Sequence, residues 1–383
     1  MKKLVIKSLI LSVWVFLLFS CNGKGVADKY SPTFPLGEFV RPEGVNPVLS
    51  PDSNSMFFCP MNQMEVGWEE SDAFNPGAVV KDGKICLLYR AEDNSAVGIG
   101  TRVSRIALAE STDGFTMSKR TAPVLFPADD NNKQYEWPGG CEDPRVAQTE
   151  EGTFVIFYTS WDRKVARLCV ATSSDLIHWE KHGPVFANAY DGRFLNTWSK
   201  ASSILTTIKD DKLVVKKING KYFMYWGEYI IYGATSDDLT SWTPVLDENN
   251  ELKPLMSPRK GYFDSELTEC GPPAVWTEEG VILLYNGKNK EGEGDPDYVT
   301  NAYCAGQALF DAQDPARFIK RLDKPFLTPQ AGFEKSGQYP AGTVFIEGLV
   351  YFQSKWFLYY GCADSRVAVV VYDPLKTKEI NGK

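Results

Sequence analysis

The sequence predicts an all-β fold, a five-bladed β-propeller with a central funnel-shaped active site, and three observations lead to it. Short runs rich in Val, Ile, Tyr and Phe are separated by Gly, Asp and Asn, while long stretches with a 3.6-residue apolar period are absent. One segment plan recurs five times along the chain. Apolar residues make up 43% of the 383 residues, which is enough to form a large core.

Each repeated segment consists of a turn, an apolar-aromatic strand and a polar cluster at the strand end. The acids Asp113, Asp175 and Asp238, which follow the early copies, recur at spacings of 62 and 63 residues. A repeat of this size with several strands per unit is typical of propeller blades. Separate sandwich domains are the alternative, but no linker-like segment divides the copies. The five copies are KDGKICLLYRAED (81–93), EEGTFVIFYTSWD (150–162), INGKYFMYWGE (218–228), EEGVILLYNGK (278–288) and QSKWFLYYGCAD (353–364).

The N-terminus carries the pattern of a targeting segment. Lys2 and Lys3 precede SLILSVWVFLLFS (8–20), an apolar stretch too short to span a bilayer as a helix. The residues LFSC (18–21) resemble a bacterial lipobox, which predicts cleavage before Cys21 and lipid attachment to it; an uncleaved anchor is the alternative. We expect a lipid-anchored protein of the bacterial cell envelope, facing the periplasm or on the outer-membrane surface. The predicted organisation is a lipoprotein signal peptide (1–20), a lipidated tether (21–44), one catalytic propeller (45–377) and a tail (378–383).

Charge and residue counts exclude several classes of function. The 41 basic and 49 acidic residues give a net charge of −8, which argues against nucleic acid as a partner and leaves the N-terminal lipid as the expected membrane contact. Two histidines, His178 and His182, are too few for a multi-histidine metal site and argue against a Ser-His-Asp triad. Seven cysteines follow Cys21 without C-x-x-C spacing, which indicates neither a zinc site nor a complete disulfide framework. No metal or cofactor is implied.

Polar residues at the ends of equivalent propeller strands converge on one central channel, which makes them the candidate site residues. If the chain is an enzyme, carboxylates must transfer the protons, and separated carboxylates around an aromatic-lined funnel favour glycoside chemistry. A sugar-binding propeller without chemistry is the alternative, but it would tend to repeat one set of strand-end residues, and here the five ends differ. The candidates are Arg90, Glu92, Asp93, Asp143, Arg145, Asp162, Arg163, Glu228, Glu269 and Asp364.

Two of these acids lie in matching turns. Asp143, in GGCEDPRV (139–146), is followed by a proline, which is typical of a plain turn. Arg145 lies two residues further on and would hold the acid ionised or orient it on a sugar hydroxyl. Glu269, in ECGPPAV (269–275), occupies the corresponding turn before the fourth copy. The neighbouring Asp264 and Glu266 are interpreted as surface charges.

Four segments together resemble glycoside hydrolase family 130, the β-mannoside phosphorylases and β-mannosidases. They are NPGAVVKDGKICLLYRAED (75–93), GGCEDPRV (139–146), WSKASSIL with INGKYFMYWGE (within 198–228) and YYGCADSRVAV (359–369), and the similarity runs from about Phe74 to Val371. The resemblance implies a five-bladed propeller that acts by inversion on the non-reducing-end mannose of a β-mannoside. Asp143 would be the general acid, passing its proton through a mannose hydroxyl. The residues matching those that hold the terminal mannose are Asn75, Arg90, Arg145 and Asp364.

One position distinguishes the two branches of the family. The phosphorylases carry basic residues after the strand that corresponds to KINGKYFMYW, where this chain has Gly227 and Glu228. A carboxylate there repels phosphate but can polarise water, and Glu269 adds a second negative charge. We therefore expect an exo-acting, inverting β-1,2-mannosidase in which Glu228 and Glu269 activate water. A phosphorylase producing α-mannose 1-phosphate is the alternative, and three cationic residues keep it open: Arg163, Arg167 and Lys200, the last also expected to bind substrate.

Overall fold

The computed structural model describes residues 30–376, and over this range the predicted all-β fold is confirmed. Helical turns such as α1 (Lys133–Glu136) and a 3-10 turn (Gly332–Glu334) are short. The predicted signal peptide, Cys21 and the tail at 378–383 lie outside the described residues. Within 30–376, no helix combines the length and the apolar character needed to cross a membrane.

Five groups of antiparallel strands follow an N-terminal hairpin of β1 (Phe57–Cys59) and β2 (Met64–Val66). The first group contains β3 (Asp72–Lys81), β4 (Lys84–Glu92), β5 (Ser104–Ser111) and β6 (Ser118–Lys119). The second contains β7 (Gly140–Gln148), β8 (Phe154–Trp161), β9 (Ala166–Ser173) and β10 (Glu180–Pro184). The third contains β11 (Ser202–Lys209), β12 (Lys212–Val215), β13 (Lys217–Ile218), β14 (Lys221–Trp226), β15 (Tyr232–Ser236) and β16 (Thr243–Pro244). The fourth contains β17 (Leu267–Cys270), β18 (Ala274–Thr277), β19 (Gly280–Lys288), β20 (Tyr303–Phe310) and β21 (Phe318–Arg321). The fifth contains β22 (Val344–Phe352), β23 (Lys355–Cys362) and β24 (Arg366–Tyr372).

The sequence repeat corresponds to a structural repeat. Each of the five sequence copies supplies an interior strand of its group, namely β4, β8, β14, β19 or β23. The recurring acids form one repeated turn, because each accepts hydrogen bonds from the backbone N–H groups two and three residues further on. Asp113, Asp175 and Asp238 all make these bonds, over 2.7–2.8 Å. These three aspartates therefore shape the turns and are not site residues.

Apolar clusters lie between neighbouring groups, including one between the fifth group and the first. Successive residues of a strand point to opposite faces of the sheet, so Leu87 and Leu88 contribute to different clusters. Strands buried on both faces read as nearly continuous apolar runs, as β4 and β19 do. Residue pairs that mark four of the clusters are Leu87 with Tyr359, Leu88 with Ile156, Phe157 with Met224, and Tyr225 with Leu283.

The first strands of three groups share a β-bulge at the same place. In β3 the bulge falls at Asn75 (φ 49°), in β7 at Asp143 (φ 47°) and in β22 at Glu347. Asn and Asp tolerate a left-handed backbone better than other non-glycine residues. Pro76 and Pro144 follow them and have no N–H to donate, which favours interruption of the ladder. The dipeptides Asn-Pro and Asp-Pro therefore encode two of the bulges.

Glycines allow these bulged strands to approach one another closely. A Cβ atom on Gly77 would lie 2.6 Å from the carbonyl oxygen of Pro144, and one on Gly348 would lie 2.6 Å from that of Pro76. Real Cβ atoms do not come this close to a carbonyl oxygen, so any larger residue would push the strands apart. The close approach brings the three bulge residues to one place in the molecule.

The compact unit begins at Pro32, before the predicted start of the catalytic domain at residue 45. Leu36 is 2% exposed, and its backbone N–H donates to Gln307 Oε1 over 2.8 Å. Arg41 forms an ion pair with the buried Glu334 at 2.8 Å. Part of the segment that composition assigns to the tether is therefore folded. The composition of the segment did not reveal this, since one buried leucine and one ion pair leave no compositional signal.

Candidate active site

Asp143 is a buried carboxylate surrounded by donors. It is 3% exposed, and its Oδ1 accepts hydrogen bonds from Asn75 Nδ2 over 2.9 Å and Arg90 Nη1 over 3.1 Å. Lys200 Nζ lies 3.4 Å from Oδ2. Burial by itself would raise the pKa of Asp143, but the charges of Lys200, Arg90 and Arg145 outweigh burial and hold the pKa below its ordinary value. These three cations therefore favour the ionised form of the Asp143 carboxyl.

Arg90 links Asp143 to two further acids. Its Nη2 lies 2.6 Å from Glu92 Oε1 and 3.0 Å from Glu142 Oε1, and its guanidinium stacks over the Phe74 ring at 4.8 Å. Burial raises the pKa of Glu142 to about 7, with Arg90 opposing the shift and Asp143 adding to it. Glu142 and Asp143 thus share one guanidinium and titrate as a pair.

Glu228 and Glu269 meet around Lys200. Glu269 is 2% exposed, and its pKa is raised to about 8 by burial and by the negative charge of Glu228, with Lys200 opposing. Burial would lower the pKa of the Lys200 ammonium, but the surrounding carboxylates raise it above its ordinary value. Lys200 therefore joins the two halves of the cluster, and the acids around it are Asp143, Glu228, Glu269 and Glu142.

Asp364 closes the site from the fifth group. It lies just after β23 in a left-handed conformation (φ 51°) and is partly exposed. Burial raises its pKa to about 7, opposed by the charge of Arg90. Gln338 Nε2 donates both to the Asp364 carbonyl oxygen (3.1 Å) and to Glu92 Oε2 (3.0 Å). The partial exposure leaves the Asp364 side chain able to reach a ligand.

Arg145 lies beneath this cluster rather than at its surface. It is 2% exposed, and its guanidinium donates to the carbonyl oxygens of Asp143 (3.0 Å), Cys270 (3.0 Å) and Gly271 (3.4 Å). Its Nη2 also lies 2.9 Å from Glu347 Oε1. All of these partners are protein atoms, so Arg145 can support the site but has little capacity left to bind sugar hydroxyls.

Other candidates from the sequence lie apart from the cluster. Asp93 pairs with Arg105 at 2.9 Å, and Asp162 pairs with Arg167 at 2.8 Å. Arg167 also donates to Asn196 Oδ1 over 2.8 Å. The exposed Arg163 donates to the carbonyl oxygen of Thr101. The cations Arg163 and Arg167, which keep the phosphorylase interpretation open, are thus engaged by protein oxygens.

A tryptophan at the rim of the site was not singled out from the sequence. Trp198 is 50% exposed, and its indole N–H donates to Glu228 Oε2 over 2.8 Å. Its ring packs edge-on against Trp161, with centroids 5.8 Å apart. An exposed aromatic next to a site acid leaves no periodic signal in the sequence, because only the fold brings residues 198 and 228 together.

Glu142 and Glu347 were also missed, although both left a signal. Glu142 is adjacent to Asp143 in the motif CEDPRV, and Glu347 interrupts the apolar run VFIEGLVYF (344–352). A single acid within a buried apolar strand is costly unless it has a partner, so it deserved a functional interpretation.

The interpretation of Asp264 as a surface charge was wrong. Asp264 is fully buried, accepts a hydrogen bond from Tyr285 Oη over 2.7 Å and pairs with Arg259.

The cluster has a strong excess of acid. Seven carboxyl groups surround Arg90, Arg145 and Lys200, and a further cation, Arg102, lies 3.7 Å from Glu92; the carboxyl groups belong to Glu92, Glu142, Asp143, Glu228, Glu269, Glu347 and Asp364. Among residues 30–376, no group of three or more His, Cys, Asp or Glu side chains has the arrangement of a metal site. The arrangement suits proton transfer between carboxyl groups and hydroxyls.

Comparison with known proteins places the chain in a family. The family model Glyco_hydro_130, described as beta-1,4-mannooligosaccharide phosphorylase, matches residues 57–377. This chain belongs to glycoside hydrolase family 130. The resemblance drawn from the four sequence segments is thereby confirmed, and the protein is a glycoside-active enzyme of a family that acts on mannosides.

Relatives within family 130 include both phosphorylases and hydrolases. A 1,2-beta-oligomannan phosphorylase from Thermoanaerobacter sp. (strain X514) is 30% identical over 318 residues, 82% of this chain and 94% of the relative. The crystal structure of a glycosyl hydrolase from Bacteroides ovatus is 59% identical with a TM-score of 0.87, covering 88% of this chain and 94% of its own. Another solved structure, described with GH130 glycoside hydrolases that target beta-1,2 mannosidic linkages in Candida mannan, is 56% identical with a TM-score of 0.88 and coverages of 90% and 97%.

Proposed function

We propose that this family 130 enzyme is an exo-acting, inverting β-mannosidase that releases mannose from the non-reducing end of β-1,2-linked mannosides. The observation that carries the proposal is the pair Glu228 and Glu269 beside Lys200, where a phosphorylase would need to bind phosphate. A phosphate dianion placed there would meet the Glu228 carboxylate, and the neighbouring Lys200 is already engaged with Asp143. Water carries no charge and is not repelled.

Asp143 starts the transfer of a proton to the leaving group. It lies in hydrogen-bond contact with Asn75 and Arg90, and we assign it the relay through a mannose hydroxyl to the glycosidic oxygen. Since the surrounding cations hold Asp143 ionised, the proton comes from the neighbouring Glu142, whose pKa is about 7. Once a mannose hydroxyl contacts Asp143, this proton passes through Asp143 and that hydroxyl to the glycosidic oxygen. When the proton reaches the glycosidic oxygen, the bond between that oxygen and C1 breaks.

Glu228 and Glu269 activate the water that attacks C1 from the opposite face. Glu269 keeps a proton at neutral pH because its pKa is about 8. This leaves Glu228, whose Oε2 accepts the Trp198 N–H, to take the proton of the attacking water. The product is then mannose with inverted, α configuration at C1. Asn75, Arg90, Lys200 and Asp364 are assigned to hold the terminal mannose, whereas Arg145 acts from beneath.

Trp198→Phe is expected to lower kcat roughly tenfold and to change KM little. Phenylalanine keeps the edge-on ring contact with Trp161 but removes the N–H that donates to Glu228 over 2.8 Å. A hydrogen bond to a charged group contributes about 1.5–3 kcal/mol. The matched control is Trp276→Phe, which removes an indole N–H that donates to the Ala312 carbonyl oxygen over 3.0 Å. A wild-type kcat in Trp198→Phe would exclude an orienting role for the indole.

Phosphorolysis is the second candidate, because a curated relative that is 30% identical is a phosphorylase. The two reactions differ in product and in their need for phosphate. We expect the purified domain to release α-mannose from β-1,2-mannobiose at the same rate with and without inorganic phosphate, as followed by proton NMR from the first minutes. Mannose 1-phosphate formed only with phosphate would instead establish the phosphorylase. Absence of turnover on this and other β-mannosides would favour a sugar-binding protein.

The fold and location proposals rest on separate observations. We propose that the five strand groups are the blades of a propeller: an apolar cluster joins the fifth group to the first, and the Ala73 N–H donates to the Ser365 carbonyl oxygen over 3.2 Å.

We also propose lipid attachment at Cys21 and a place in the bacterial cell envelope, on the strength of the lipobox-like residues 18–21. Labelling of the expressed protein with a radioactive fatty acid, lost in Cys21→Ser, tests the second proposal.

A further inference from the structure

Glu347 is a fully buried acid in the middle of an apolar strand. It occupies the bulge of β22, is 0% exposed, and has apolar neighbours on both sides in VFIEGLVYF. Burial raises the pKa of Glu347 well above its ordinary value, with the charge of Arg145 opposing the shift. Glu347 Oε1 lies 2.9 Å from Arg145 Nη2, but neither carboxyl oxygen accepts a hydrogen bond of good geometry within residues 30–376.

Stability does not account for this arrangement. Buried ion pairs are often replaced by apolar residues at no cost, because removing two charges from water costs about as much as their attraction returns. A carboxylate without hydrogen bonds is worse placed than most, since buried polar atoms normally have partners. Apolar residues in place of both Glu347 and Arg145 would avoid the cost of burying two charges. Its presence therefore calls for another role.

The contacts of Arg145 indicate that role. The guanidinium joins the carbonyl oxygen of Asp143 to that of Cys270, the residue that follows Glu269, each over 3.0 Å. It thus connects the backbone that carries the proposed acid to the backbone that carries a proposed water-activating residue. Glu347 holds the same guanidinium from a third strand, β22.

We propose that Glu347 is a positioning residue: through Arg145 it fixes the backbones of Asp143 and Glu269 relative to each other. This inference rests on the proposed function of those two acids. Inversion requires the acid and the base to be held on opposite faces of the sugar at a set separation. Misplacement of a reacting group by about 1 Å can cost roughly 100-fold in rate. Glu347 is buried and cannot contact the substrate. Its replacement is therefore expected to lower kcat and to leave KM nearly unchanged.

Glu347→Gln tests the proposal, because it removes the carboxyl group and keeps the shape. We expect kcat to fall roughly 10- to 100-fold with KM changed less than about threefold. The matched control is Glu334→Gln: Glu334 is equally buried and pairs with Arg41 at 2.8 Å, but it lies in the 3-10 turn outside the cluster. This control is expected to lower Tm and leave kcat unchanged. A lowered Tm with wild-type kcat in Glu347→Gln would show a merely structural role and overturn the proposal.

A double-mutant cycle shows whether Glu347 acts through Arg145. If it does, Glu347→Gln adds little to the kcat loss of Arg145→Lys, whereas additive losses overturn the proposal. If Glu347→Gln does not fold, Glu347→Asp is the second variant, because it keeps the carboxyl group on a shorter side chain. It is expected to lower kcat while KM stays near wild type. A wild-type kcat in Glu347→Asp would contradict the positioning role. The activity of the wild type distinguishes a failure of the proposed function from a failure of the role inferred for Glu347. Absence of hydrolysis by the wild type refutes the proposed function, whereas an active wild type with an unimpaired Glu347→Gln refutes this inference alone.

Discussion

Replacing Asp143 by asparagine is expected to lower kcat on β-1,2-mannobiose roughly 10²- to 10⁴-fold, the usual contribution of a general acid. Asparagine tolerates the left-handed backbone at this bulge (φ 47°) and can keep the hydrogen bond from Arg90, but it cannot carry a proton. Initial rates of mannose release measure the loss. Asp82→Asn is the matched control, since Asp82 has the same left-handed conformation (φ 49°) and lies exposed between β3 and β4.

A second substrate identifies the step that Asp143 assists. In 4-nitrophenyl β-mannoside the leaving group departs without a proton, so the loss in Asp143→Asn is expected to shrink to less than about tenfold. Equal losses on both substrates would mean that Asp143 positions the sugar and does not protonate the leaving group. Wild-type kcat on the disaccharide would exclude it from the site chemistry altogether.

Replacing Glu269 by glutamine is expected to reduce hydrolysis of both substrates roughly 10²- to 10⁴-fold and, at the same time, to stabilise the protein above neutral pH. The activity is lost because water must be activated whatever the leaving group. Glu228→Gln is expected to lose activity on both substrates as well. Glu266→Gln is the control, because Glu266 lies three residues away, paired with Lys288 at 2.9 Å. Near-wild-type hydrolysis in both variants of the Glu228–Glu269 pair would refute the assignment.

The stability change follows from the pKa of Glu269. The folded state keeps this proton up to about pH 8, whereas the unfolded chain loses it near the ordinary value of 4.5. Between these values the folded state binds more protons, so the contribution of Glu269 to the free energy of unfolding is present below pH 4.5 and is lost as pH rises towards 8. Glutamine suffers no such loss. We expect equal Tm values near pH 4.5 and a Tm roughly 3–8 °C higher for the variant at pH 8; an equal or lower Tm there would contradict the raised pKa.

Azide offers an independent check on the role of the pair. It is a nucleophile that needs no base, so sodium azide is expected to restore turnover of the aryl mannoside in Glu228→Gln and to give α-mannosyl azide. The azide nitrogen forms the new bond to C1 as the nitrophenolate leaves, so configuration is inverted. In Asp143→Asn, azide is expected to restore nothing, because the base is intact there.

The cluster was only partly visible in the sequence. The motif residues Asn75, Arg90, Asp143 and Asp364 stand in recognisable segments, and the structure brings their side chains into one electrostatic cluster. Glu347 stands outside any motif, and Trp198 lies in the segment WSKASSIL (198–205) without a pattern that points to a site role. Their contacts depend on strands from different groups, so no local pattern records them. The burial of Asp264 escaped for another reason: its partner Arg259 lies only five residues away in the same connecting segment and Tyr285 lies in β19, and these spacings form no recognisable motif.

The sequence by itself determined the all-β class, the five-fold repeat and the family, because each depends on local patterns: apolar strand runs, turn residues at fixed offsets and motifs read in order. It also encoded two of the bulges, through the dipeptides Asn75-Pro76 and Asp143-Pro144. Only the tertiary structure decided that Arg145 lies beneath the site with its guanidinium occupied by carbonyl oxygens and Glu347. The reason is physical: burial and ion pairing depend on which strands approach closely, and that approach is set by backbone contacts such as Gly348 against Pro76, which residue spacing does not reveal.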